Sequence, residues 1–97
     1  IMDNSFDYSA NTISNIFVTG ANALSTTSDP YIGAVFHNID ATNIIYLGRS
    51  NVLSGGGNGF ALQAGELVQG RAEGNLKDMY AVAGGGSALK LSYVIWR

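Results

Sequence analysis

Alternation is clearest in the last segment of the chain, where Leu89, Leu91, Tyr93 and Ile95 interleave with Lys90, Ser92, Val94 and Trp96. A period of two places each set on one face of a β-strand. The first set reads as core. The second begins polar and turns apolar, so Trp96 either closes the end of the domain or reaches a neighbour. Residues 31–37 interleave Ile32, Ala34 and Phe36 with Tyr31, Gly33, Val35 and His37; apolar on both faces, they predict a central strand. Residues 43–47 and 79–83 predict short buried strands. Residues 66–72 predict one with Leu67 beside polar alternates, and residues 23–27 a weak edge strand ahead of Pro30. Residues 74–78 have room for one helical turn, and no longer helical period runs anywhere.

Turn formers separate these runs: Gly20, Ser28-Asp29-Pro30, Asp40-Ala41-Thr42-Asn43, residues 54–59, Gly74-Asn75 and Gly84-Gly85-Gly86-Ser87. Short β-rich runs between frequent turns predict an all-β fold, an antiparallel β-sandwich of jelly-roll or Ig-like type with about 7 to 8 short strands. Residues 1–12 differ, being rich in Asp, Asn and Ser with Phe6 and Tyr8 two apart. They predict an extended N-terminal arm, loosely held or adding a strand to a neighbouring subunit. Residues 13–97 form the single β-sandwich domain.

Composition narrows the partners. In 97 residues, 46% are hydrophobic and only 12% charged, against about 25% charged in ordinary domains. Such a chain folds around one core and presents a neutral surface. Its five cationic residues, Arg49, Arg71, Lys77, Lys90 and Arg97, are scattered singly, unlike the clustered footprint of a nucleic-acid binder. No apolar run reaches the roughly 20 residues that cross a bilayer, and the opening Ile1-Met2-Asp3-Asn4 lacks the basic and apolar regions of a signal peptide. With no cysteine, neither disulfides nor thiolate metal sites can staple so small a domain. Oligomerisation is the usual remaining support, and a surface poor in charge suits burial against copies of itself or a host particle.

Candidate chemistry is sparse. His37 is the sole histidine, no Gly-x-Ser-x-Gly elbow accompanies it, and it reads as a packed or surface residue. Asp3, Asp7, Asp29, Asp40, Glu66, Glu73 and Asp78 are spread over turns and strand ends; a glycosidase-like pair among them is not visible from spacing. Residues 55–59 and 84–87 are glycine-rich but lack the Lys-Ser/Thr of a phosphate loop. The expectation is therefore no catalytic residue, no cofactor and no metal site.

The order of motifs from residue 31 onward carries a resemblance. A strand ending His37-Asn38 is followed by Asn43-Ile44-Ile45-Tyr46-Leu47-Gly48, Ser50-Asn51-Val52, Gly59-Phe60 with Leu62, Gly65-Glu66, Asn75-Leu76 and Met79-Tyr80-Ala81-Val82-Ala83. This resembles a small β-sandwich module of tailed-bacteriophage virion proteins, notably capsid decoration or cement proteins. Gly48 and Gly65 would allow sharp reversals, and Tyr46, Phe60, Leu62, Leu76 and Tyr80 would plug a core between two sheets. The resemblance implies a non-enzymatic subunit at the virion surface that binds the major capsid protein or other virion subunits, often as a homotrimer. Phe6, Tyr8 and Trp96 are the expected interface anchors, as aromatics in a chain of low charge. The alternative is a receptor- or glycan-binding tip of a tail or fibre, with Tyr31, Tyr46, Tyr80 and Trp96 as stacking surfaces.

Overall fold

The computed structural model describes residues 8–55, 58–70 and 73–97. Within them the chain is all-β, with antiparallel sheets and no α-helix. The strands are β1 (Tyr8–Ile16), β2 (Asn22–Ala23), β3 (Pro30–Tyr31), β4 (Gly33–Asn38), β5 (Ile45–Gly48), β6 (Gly59–Leu62), β7 (Leu67–Gly70), β8 (Gly74–Asn75), β9 (Tyr80–Ala83) and β10 (Leu89–Trp96). Three of them, β2, β3 and β8, are two-residue pieces, which is why alternation alone predicts fewer. The helical turn expected near residues 74–78 is a 3₁₀ turn at Leu76–Asp78.

Two four-stranded sheets run β1-β10-β4-β7 and β2-β9-β5-β6, with β3-β8 as a separate ribbon. The pairings are nested. β5 pairs with β6, β4 with β7, β3 with β8, β2 with β9 and β1 with β10. The chain thus runs as one long antiparallel ribbon, and β10–β4 and β5–β9 stitch that ribbon into the two sheets.

One apolar core lies between the sheets. It takes Leu89, Leu91, Tyr93 and Ile95 from β10, Ala34 and Phe36 from β4, Ile45 and Leu47 from β5, Ala81 and Ala83 from β9, with Ile16, Leu62 and Leu76. The alternation in β10 therefore sorts core from surface as its sequence predicts, and β4 is central in its sheet.

Three expectations need correction. Residues 8–12, read as part of an arm, belong to β1 and pair with β10 of the same chain, Tyr8 opposite Trp96 and Thr12 opposite Ser92. Their polar composition reflects an edge strand with little to bury. Ile13 and Ile16 both oppose core leucines, Leu91 and Leu89, although three positions apart against two; a bulge absorbs the extra residue. Residues 23–27 supply only the second residue of β2. Of the five expected plugs, Leu62 and Leu76 are fully buried, Phe60 is 50% exposed, and Tyr46 and Tyr80 stand in β5 and β9 out of phase with the core residues of those strands.

Gly48 and Gly59 face each other at the base of the 49–58 loop, where Val52 is buried. A Cβ on Gly59 would meet Val52 Cγ2 and, at 2.6 Å, the Leu47 carbonyl. Close approach of the loop, and not a left-handed backbone, requires glycine there. Gly65 does have a positive φ, 77°, the sharp reversal expected of it.

Candidate functional site

The first sheet leaves its outer face uncovered by any described element. The registers place three cross-strand rows on it: Tyr8, Trp96 and Gly33; Ala10, Val94, Val35 and Gln69; Thr12, Ser92, His37 and Leu67. Their phase is opposite to the core residues of the same strands. Tyr8 and Leu67 are among the most exposed large apolar side chains, at 61% and 55%, and Trp96, Val94 and Val35 are half-buried by their neighbours. The three rows carry no carboxylate and no Lys or Arg; Lys90 follows beyond them along β10. The face is neutral and mixed apolar and hydroxylic, the makeup of an interface core more than of a solvated sheet.

Two of the three expected anchors, Tyr8 and Trp96, are brought together as register partners on this face. Phe6 lies outside the described residues. Arg97 pins the same corner: its Nη2 donates to Asp29 Oδ1 at 2.6 Å and its Nη1 to Ser9 Oγ at 2.8 Å, which ties β1 and the turn before β3 to the end of β10.

His37, Asp40 and Glu66 are occupied locally. His37 Nε2 donates to the Gly65 carbonyl at 3.2 Å, since a carbonyl can only accept. Asp40 Oδ2 accepts from the amides of Asn43 (2.7 Å) and Thr42 (3.0 Å), and these backbone donors hold its pKa below the ordinary 3.8. Glu66 Oε1 accepts from the Gln63 amide at 2.8 Å. No group of three or more His, Cys, Asp or Glu capable of holding a metal ion occurs among the described residues. Asp3 and Asp7 lie outside them.

The four aromatics of the glycan-binding alternative do not converge. Trp96 is on the outer face of the first sheet, Tyr31 stands edge-on to Phe36 at 6.5 Å, and Tyr46 and Tyr80 are on the far face of the second sheet. A stacking platform needs them on one surface.

Sequence reasoning missed Asn38. It is fully buried at the inward phase of β4, following Ala34 and Phe36. Its Nδ2 donates to the carbonyls of Asn43 and Leu62, both at 2.9 Å, and its Oδ1 accepts from the Asp40 amide at 2.9 Å. One amide thus joins the first sheet, the turn at residues 39–43 and the edge strand of the second sheet. A polar residue at a core phase of an alternating strand is the signal that marks it. No protein-family model, curated protein or solved structure significantly matches the chain.

Proposed function

We propose that this chain is a non-enzymatic structural module that works by packing into a larger assembly through the outer face of the β1-β10-β4-β7 sheet. We further infer that the two sheets form a jelly roll. The nested pairing of every strand with its mirror position along the chain is what rolling one ribbon into two sheets produces, and jelly rolls recur in viral capsid and lectin domains.

The observation that carries the reading is the uncharged outer face. Its magnitude bears on the mode of binding. Four strands about 4.8 Å apart and some six residues long cover about 400 Å², whereas a stable interface buries about 800 Å² on each partner. One such face supports weak association. Several copies held together gain by avidity what each lacks alone. This favours an oligomer, a homotrimer by the resemblance, bound to a repeating lattice. A virion surface is the setting that the motif order suggests, with the chain as a capsid decoration or cement protein on the major capsid lattice.

Sedimentation of the purified chain tests the first step, and co-purification with intact capsids at a fixed ratio tests the second. Leu67→Lys and Ala10→Lys, both on the exposed face, are expected to abolish association while leaving the melting temperature within about 2 °C. A chain that stays monomeric at high concentration, and that capsids do not retain, would overturn the proposal.

A further inference from the structure

At the side of the molecule bounded by β6 and β7 the two sheets part. Phe36 and Val68 fill one inward row of the first sheet, but the next row holds Ala34 and Gly70, so a methyl and a hydrogen stand where large side chains would bridge to the opposite sheet. Across the gap are Leu47 and its register partner Phe60. Phe60 shares the inward phase of the fully buried Leu62, yet is 50% exposed and lines the gap. Tyr31, edge-on to Phe36, closes one end. The result is a solvent-accessible cleft of about 310 Å³ whose lining side chains, among the described residues, are all uncharged.

We propose that this cleft binds a small, uncharged, apolar molecule. A cavity of about 150 Å³ accepts one benzene, so this one takes two linked or fused aromatic rings, or an alkyl chain of similar bulk. It stands at the lower end of the size range of small-molecule sites, about 300 to 1,000 Å³. Among the described residues no charged side chain lines the cleft to offset the desolvation of an ionised ligand, which favours neutral molecules. Tyr31 borders the cleft with its ring, while its hydroxyl lies over Gly74, outside the lining. The cleft lies on the opposite side of β7 from Leu67, because Leu67 and Gly70 alternate across that strand; Gln69, at the sheet edge between them, borders both surfaces.

Fluorescence titration with the neutral probe N-phenyl-1-naphthylamine tests the assignment. Saturable one-to-one binding is expected, with a sulfonated naphthalene analogue weaker by about tenfold or more. A Cβ built on Gly70 meets no atom within 4 Å, so Gly70→Leu fills the cleft without displacing structure and is expected to weaken the probe by about tenfold or more. Phe60→Ala removes one wall and has the same expected effect; it decides the matter should Gly70→Leu not fold. Gly20→Leu, also in open space, and Leu67→Lys leave binding unchanged, the latter separating this site from the assembly face. Non-saturating emission, or equal affinity in wild type, Gly70→Leu and Phe60→Ala, would overturn the proposal.

Discussion

Among the described residues Asn38 is the buried polar side chain of the core, and all three of its side-chain hydrogen bonds end on main-chain atoms, at Asp40, Asn43 and Leu62. Asn38→Leu strands the carbonyls of Asn43 and Leu62 and the amide of Asp40 at or near the core. The expected cost is about 2 to 4 kcal/mol, measured by urea denaturation. Asn38→Asp removes the two donors and adds a buried carboxylate, so it destabilises as well, and less at low pH where the acid is protonated. Asp40 titrates in the opposite sense. Its folded pKa lies below the unfolded value, so its contribution is present above pH 3.8 and is lost as pH falls through the lower folded value. Asp40→Asn is therefore expected to flatten the acid limb of a stability-versus-pH curve, measured as the denaturation midpoint between about pH 5 and 2.

At the scale of elements, the glycines separate two physical demands that sequence shows as one. Gly65 has a φ of 77° and open space around its missing Cβ. Gly65→Ala accordingly carries only backbone strain, about 1 kcal/mol. Gly59 has no positive φ but is closed in by Val52 and the Leu47 carbonyl. Gly59→Ala must push the 49–58 loop off the second sheet, at about 2 to 3 kcal/mol. Val52→Ala in the same chain recovers part of that cost and not all, since the carbonyl remains; a double-mutant cycle in thermal unfolding reads the coupling. The glycine run at residues 84–86 packs similarly against Asn43, Ile44 and Tyr46, so it serves close contact and turn geometry together.

For the whole molecule, nested pairing makes the first and last strands neighbours. β10 lies between β1 and β4, so removing residues 89–97 takes away a central strand and four core side chains. A chain ending at residue 88 is expected to show no cooperative unfolding transition by circular dichroism. Pairing between strands so far apart in sequence also predicts folding on the millisecond-to-second scale, as for other β-sandwiches, measurable by stopped-flow dilution from urea. The same nesting puts Tyr8 beside Trp96 and so assembles the outer face from both ends of the described chain. Its edge, β1, is nine residues long and without Lys or Pro to discourage pairing; the bulge near Ile13 is its one evident protection.

The sequence by itself determined the class of fold, the core strand at residues 89–96, a central strand read at residues 31–37 and found at Gly33–Asn38, and the shortage of charge. These follow from alternation and composition, which act locally and need no knowledge of partners. Tertiary structure decided what those residues face. Period two marks two sides of a strand but not which is covered, so Phe60 could be read as a core plug until Ala34 and Gly70 were found opposite, too small to enclose it. Residues 8–12 are polar enough to suit a free arm, and only the register with β10 made them a sheet edge. Asn38 is one amide among many in the sequence, and its role depends on carbonyls 5 and 24 positions away. Contacts of that range are set by how the ribbon rolls up, a property of the whole chain that no local pattern encodes.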